Sequence, residues 1–226
     1  MANATSVDLV SGCGPQTCGA GPSPMTSARD AAPARIGPNA IIRMAEALDE
    51  DVGPEVTRRI FHSCALDGYV DAPPAEMVDE REVSKLQAAV VSELGMAHSR
   101  TVSRSAGLRT GDYLLKNRIP RAAQSVIRVL PASLASRVLL AAIRRNAWTF
   151  VGSGHFTATS GLALARLSVE GCPLCCDLTA TTPRCDYFAG TFEHLFRSLV
   201  HPVSEVEENS CMANGALACI FEIRWR

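Results

Sequence analysis

Four side chains towards the C-terminal end of the sequence have the types and order of a metal site: Cys185, Glu208, Cys211 and Cys219. Three thiolates and one carboxylate are four soft or borderline donors, enough to close a tetrahedral shell around zinc with no open position. Glu208 and Cys211 fall near the end of one expected strand and Cys219 opens the next. Asn214-Gly215 between them is a turn signal that folds the two strands together. Cys185 stands at the start of the preceding helix, so a metal bound here would pin that helix to the terminal hairpin. The spacing is also open to a Cys211–Cys219 disulfide, or to three buried thiols serving as small apolar residues. A second group, CPLCC from Cys172 to Cys176, contains a CxxC spacing of the kind used by redox pairs and zinc half-sites. It follows a strand as a turn, with no second CxxC and no thioredoxin-like βαβ unit, so no redox role is expected for Cys172, Cys175 or Cys176.

The elements that must position these residues can be read from periodicity and punctuation. Residues 1–34 are rich in Gly, Pro, Ser and Ala and hold almost no large apolar side chains. They are expected to form a flexible tail, with Cys13 and Cys18 as unstructured bystanders. Residues 35–226 then read as a single domain. Its first part, about 35–146, is helical. Pro38 and Gly53-Pro54 open two helices, Asp79 caps a third that runs through Val83, Leu86, Val90 and Leu94, and a long helix spans Met96 to Asn117 despite Gly107 and Gly111. Pro120 and Pro131 introduce two more. From about residue 147 the period shortens. WTFVGSGHFTA and LALARLSVEG read as a hairpin turning at Thr159 to Gly161, Pro183 opens a helix with an apolar stripe, and VSEVEEN and ACIFEIRW form a second hairpin. The expected class is α+β: a helical N-terminal part, then an antiparallel sheet with a long C-terminal helix packed on it.

Composition narrows the function classes. A chain of 226 residues that is 47% hydrophobic can bury one sizeable core. With 22 basic against 23 acidic residues it has no electrostatic bias towards nucleic acid or an anionic membrane. The longest apolar run, Val138 to Ile143, is far too short to span a bilayer. The opening residues lack a basic start and an apolar stretch, so a cytoplasmic protein is expected, and nine cysteines there point to ligands or buried thiols more than to disulfides.

The order Cys185, Glu208, Cys211, Cys219 resembles the zinc-binding pattern in the sensor domains of phenol- and xylene-responsive transcription activators. Those sensors share a small-molecule-binding module, the 4-vinyl-reductase domain, related in fold to the Bet3-type subunits of a vesicle-tethering complex. RIGPNAIIRMAEAL, YVDAPPAEMVDE, DYLLKNRIP, NAWTFVGSG and CDYFAGTFEHLFRSLVHP resemble the bacteriochlorophyll 4-vinyl reductase family over roughly Ile36 to Trp225. The resemblance implies a Bet3-like ligand-binding fold, structural zinc at the four residues, and, from the pairing of related sensors, a homodimer. The CPLCC stretch falls outside it.

The family name implies reduction of a vinyl group on a chlorophyll precursor, which requires a hydride or electron donor. No GxGxxG follows a strand and opens a helix, no P-loop is present, and the cysteines lack ferredoxin spacing. Zinc has no redox chemistry. The better expectation is a tetrapyrrole-binding carrier of bacteriochlorophyll biosynthesis, handling a Mg-porphyrin or divinyl (proto)chlorophyllide intermediate and assisting pathway enzymes. The alternative is an 8-vinyl reductase with a donor site not visible in the sequence. A Mg-tetrapyrrole needs apolar walls, an axial group and a cation for a carboxylate. Trp148, Phe150 and Phe156 are the candidate wall, His155 the candidate axial group, and Arg118 and Arg121 the candidate cations. Aromatic core packing, a strand-edge histidine and helix-dipole arginines are the competing readings. His194, Arg197 and His201 are expected on a solvated helix face, and His62 and His98 at the surface.

Overall fold

The computed structural model describes residues 34–225. The expected tail, with Cys13 and Cys18, lies outside the described residues except for Ala34. Strand β1 (Arg35–Ile36) leads into α1 (Asn39–Asp51), where Ile41, Met44 and Leu48 recur at helical spacing and are fully buried. Gly53, at φ 82°, turns the chain into α2 (Pro54–Ser63), and a proline in the first turn loses no hydrogen bond there. A single turn, α3 (Gly68–Asp71), precedes β2 (Val78–Asp79), which pairs antiparallel with β1. The Asp79 carboxylate then accepts the Arg81 backbone N–H at 2.9 Å and caps α4 (Glu80–Asn117). Gly95, at φ 75°, breaks α4 in two, which separates the helices that the apolar pattern places before and after it. Helices α5 (Arg121–Val129) and α6 (Ala132–Arg145) each follow a proline.

The C-terminal part contains a short helix α7 (Trp148–Val151), strands β3 (His155–Ser160) and β4 (Leu164–Glu170), helix α8 (Asp186–Leu199), and strands β5 (Glu205–Ser210) and β6 (Cys219–Arg224). The four strands form one antiparallel sheet in the order β3-β4-β6-β5. Three expectations need correction. Trp148 and Phe150 lie on a helical turn and not in a strand. The Ala147 carbonyl accepts the N–H groups of Phe150 and Val151, and the Glu80 carboxylate takes the Ser153 N–H at 2.8 Å and its hydroxyl at 2.6 Å. Thr159 and Ser160 belong to β3, so the turn runs over residues 161–163. The β5–β6 link is no two-residue turn. A 3-10 turn (Met212–Asn214) and Gly215 at φ 87° make up its first half, held inward by the Ala180 N–H on the Ala213 carbonyl.

Helix α8 lies between α4 and the sheet. Its Phe192 ring meets Phe221 of β6 at 5.4 Å between centroids, and Phe196 meets Trp225 at 5.9 Å. On the other side glycines bring two backbones together: a Cβ on Gly107 would overlap the Tyr187 carbonyl, and one on Gly190 would meet the Arg104 carbonyl. Polar bonds lock the same contact, with the Thr191 hydroxyl on the Gly107 carbonyl at 3.1 Å and Thr110 bonded to the Tyr187 hydroxyl at 2.7 Å. Alanine in a helix interior is favoured over glycine by about 1 kcal/mol. Overpacking costs about 1–3 kcal/mol, more where backbone is the obstacle, so the clash wins. Gly107→Ala is therefore expected to lower the denaturation midpoint, and Gly68→Ala, whose Cβ meets nothing within 4 Å, to leave it unchanged or raise it. A Gly107→Ala protein as stable as the parent would show that the two helices are not in contact there.

Candidate functional site

In β5 the two-residue period puts Val206 and Glu208 on the face turned towards α8, opposite Ile223 and Phe221 of β6. The register then shifts between Glu208 and Ser210, leaving Asn209 as the extra residue of a bulge. Cys211 follows, fully buried, beside Cys219 at the first position of β6. Cys185 caps the N-terminal end of α8, and its backbone N–H donates to Glu208 Oε2 at 2.7 Å. The four residues named from spacing therefore converge, all within 4.8 Å of one another by their ligand atoms.

The distances fit a tetrahedral thiolate site. Zn–S bonds of about 2.3 Å place the sulfurs of such a shell about 3.8 Å apart. Cys185 and Cys211 are 3.9 Å apart, Cys211 and Cys219 3.8 Å, and Cys185 and Cys219 3.5 Å. The fourth donor is also in place. Glu208 Oε1 is buried and has no hydrogen-bond partner among the described residues, an arrangement that a bound cation would satisfy. The donor set can hold a metal ion.

CPLCC belongs to the same cluster, a correction to its reading as an isolated turn. Gly171, at φ 63°, ends β4, and the turn brings Cys172 Sγ to 3.5 Å from Cys185 and Cys175 Sγ to 3.4 Å from Cys219. The Ser84 hydroxyl of α4 donates to the Pro173 carbonyl at 2.5 Å and lies 2.9 Å from Cys176 Sγ, which holds the turn in place. Cys172, Cys175, Cys185 and Cys219 form a second group of ligand atoms within 4.8 Å. The missing signal was a pairing between distant strands. Val169 of β4 is in register with Cys219 of β6, so the turn after β4 must abut the start of β6.

The cluster is electrostatically uneven. Burial, followed by the nearby Cys211 charge, pushes Glu208 up to about 9. Burial raises Cys172 to about 11 and raises Cys185 strongly. Hydrogen bonds from Cys172 first, then Cys185 and Cys211, bring Cys219 down to about 6, and those from Cys175 and Cys185 bring Cys211 to about 7. Beside them Arg184 is buried, donating to the Met96 carbonyl at 2.7 Å and to Ser99 Oγ at 2.6 Å, where its charge opposes that of any thiolate formed. A metal–thiolate centre formed here would have a neighbouring cation in Arg184.

The aromatic candidates fall in one region. Phe150 and Phe156 meet edge to face at 5.5 Å, and Phe150 also meets Phe188 of α8 at 5.6 Å. With Phe192 and Phe221 these rings fill the space between α7, α8 and the sheet, while Trp148 is 60% exposed beside them. His155 is exposed at the start of the edge strand β3. Arg118 follows α4 and its guanidinium lies 6.0 Å from the Tyr113 ring, and Arg121 opens α5. Both are exposed, at the end of α8 remote from Cys185, where Arg128 of α5 donates to the Ser198 carbonyl. Of the other expected surface groups, His62 pairs with Asp67 at 2.6 Å and His98 with Asp51. The face of α8 carrying His194 and Arg197 is not simply solvated. Arg197 binds the Ser204 carbonyl and pairs with buried Glu193, and His194 lines a surface groove of about 530 Å³ with Arg43, Arg109 and Tyr113.

Comparisons with known proteins agree with this architecture. Residues 165–225 match the family model of the 4-vinyl-reductase (V-4-R) domain, a stretch that includes CPLCC as well as the four spaced ligands. The chain is 40% identical, over 84% of its length and 90% of the relative's, to the bacteriochlorophyll synthase 23 kDa chain of Cereibacter sphaeroides. To the protein of the same name from Rhodobacter capsulatus it is 39% identical over 90% and 91%. Among solved structures it shares its fold with H-NOX proteins. A mutant Fe(II) unliganded form from K. algicida matches at TM-score 0.57 and 9% identity, over 84% of this chain and 96% of that one. The Fe(II)NO form from S. oneidensis matches at 0.51 and 13%, over 84% and 99%. Another solved structure, described as modulating heme redox potential through protein-induced porphyrin distortion, matches at TM-score 0.50 and 14% identity, over 82% of this chain and 93% of that one. The α+β chain with its buried thiol and carboxylate cluster belongs to the 4-vinyl-reductase-domain family, alongside the proteins named bacteriochlorophyll synthase 23 kDa chain.

Proposed function

We propose that this protein acts in bacteriochlorophyll biosynthesis as a tetrapyrrole-binding carrier, built around a structural zinc centre. The observation that carries the reading is the 39–40% identity, over nearly the full length of both chains, to relatives named as a chain of bacteriochlorophyll synthase. The fold is compatible with it, since one solved structure of the same fold is described by its heme and porphyrin.

The ligand is a Mg-porphyrin or chlorophyllide intermediate, and its wall is the phenylalanine group beneath α7. The one-turn helix α7 ends at Gly152, with φ 57°, and carries half-buried Phe150 and exposed Trp148, so it is the element that yields most readily to an entering ring. His155 and the arginines Arg118 and Arg121 remain the axial and carboxylate candidates of this reading. Zinc is held by Cys185, Glu208, Cys211 and Cys219; it supplies no electrons and fixes the start of α8. A homodimer is part of the same reading, and Val126, Val129, Leu134 and Val138, exposed on α5 and α6, offer it a face. Pathway enzymes are the expected recipients of the pigment.

Two measurements test this. Zinc analysis of the purified chain is expected to give at least one ion, and Cys211→Ala to lose metal and lower the melting temperature. A metal-free protein with an unchanged melting temperature would remove the zinc centre from the proposal. Mixed with Mg-protoporphyrin or divinyl protochlorophyllide, the protein should shift the pigment's absorption and fluorescence, and Phe150→Asp should weaken binding at least about tenfold, roughly 1.4 kcal/mol. With NADPH or reduced ferredoxin present, the pigment should not gain the mass of two hydrogens, while an independent vinyl reductase converts it in the same assay. Conversion by the purified protein would make it a reductase, and failure to bind any pigment would defeat both readings.

A further inference from the structure

The cluster holds more ligands than one ion can use. A four-coordinate zinc on Cys185, Glu208, Cys211 and Cys219 is complete. Cys172 and Cys175 then remain as two buried thiols, 3.5 and 3.4 Å from Cys185 and Cys219, which are already ligands. The two four-residue groups share those two cysteines, and the shared pair is itself 3.5 Å apart. Six donors grouped in this way can be divided between two four-coordinate shells that share one edge. We infer that the chain binds two thiophilic divalent ions in one centre, bridged by Cys185 and Cys219, with Glu208 and Cys211 completing one shell and Cys172 and Cys175 the other.

Three observations support a built site over chance proximity. The CPLCC turn is held from two sides, by Ser84 on the Pro173 carbonyl and by the Cys172 N–H on Met212 Sδ at 3.3 Å. The Met212 N–H in turn lies 3.4 Å from Cys219 Sγ, a bond that suits a charged sulfur. The second ion also leaves the net charge unchanged. Around one divalent ion the three thiolates and the carboxylate leave an excess of two negative charges, which Arg184 faces. A second divalent ion brings two positive charges and displaces the protons of Cys172 and Cys175, so the charge of the core does not change. Inorganic sulfide is not accommodated, because sulfurs already in van der Waals contact leave no volume between them for the sulfides of an iron–sulfur cluster. The inference rests on the single-site zinc reading and extends it to residues that reading leaves unused.

The test uses the full chain purified from zinc-supplemented medium and, in parallel, the same chain loaded with cadmium-113. Metal analysis is expected to give about two ions per chain, falling to about one in the Cys172→Ser/Cys175→Ser double variant. The cadmium form should show two resonances of equal intensity, one typical of four sulfurs and one of three sulfurs and an oxygen, coupled to each other through the bridging thiolates. Because the spectrum is read on the unaltered sequence, it decides the matter even if the double variant fails to fold. One resonance and one ion at excess cadmium would overturn the two-metal centre and leave the single site intact. No ion at all would overturn both, and iron with acid-labile sulfide would overturn both in favour of a cluster.

Discussion

A carboxylate on the buried face of a strand must be neutralised, hydrogen-bonded or paired with a cation, and here that demand falls on Glu208. One of its oxygens is met by the Cys185 N–H at the N-terminal end of α8, where the helix dipole also favours negative charge. The other has no hydrogen-bond partner among the described residues. Satisfying that residue fixes where α8 begins relative to β5. The bulge at Asn209 then returns Cys211 to the same face, and Cys219 opens β6 directly beside it. The start of α8 and the two strands of the terminal hairpin are thus registered by one polar requirement, in a place where apolar side chains would have tolerated several registers.

Helix α8 transmits that registration to the rest of the molecule. It is covered by α4 on one side and by the sheet on the other, so its apolar residues are spread around the helix instead of along a single stripe. Glycines at 107 and 190 let the backbones of α4 and α8 approach until carbonyls stand where a Cβ would be. Such contact leaves little freedom to slide, because a shift along the axis would drive side chains into those carbonyls. Ion pairs between buried carboxylates and half-exposed arginines follow the same seam, with Asp186 held by Arg100 and Glu193 by Arg104 and Arg197.

What could be read from the sequence divides by the range of the interaction that decides it. Helices α1, α2, α4, α5 and α6 carry their own start signals, Pro38, Gly53-Pro54, Asp79, Pro120 and Pro131, and each begins where those residues place it, while the single turn α3 carries no such signal. The quartet of Cys185, Glu208, Cys211 and Cys219 was legible because three of its members lie on one hairpin. Cys172 and Cys175 were not, since they join the cluster through the pairing of β4 with β6, which sets residues as distant in the chain as Leu164 and Arg224 side by side. Trp148 and Phe150 were misplaced because an apolar alternation confined to one short stretch fits a helical turn as well as a strand. The deciding contact was the distant carboxylate of Glu80 on Ser153.

The thiol cluster and the aromatic group are not independent, because they share two elements. Cys185 caps α8, and Phe188 and Phe192 follow within its first two turns; Cys219 begins β6, and Phe221 comes next on the same face. Rings packed at 5.4 to 6.3 Å respond to small displacements, and a gap of about an ångström forfeits much of their dispersion energy. Any change that loosens the start of α8 from β6 therefore reaches the Phe188 and Phe192 rings against Phe221. On the proposed reading, a metal centre here does more than staple the fold. It holds the separation between α8 and β6 and so sets the width of the aromatic wall that a tetrapyrrole must enter. On that reading, a ring entering from the side of α7, which carries none of the clustered cysteines, would leave the metal-bound edge fixed, with Phe150 as the side chain that moves.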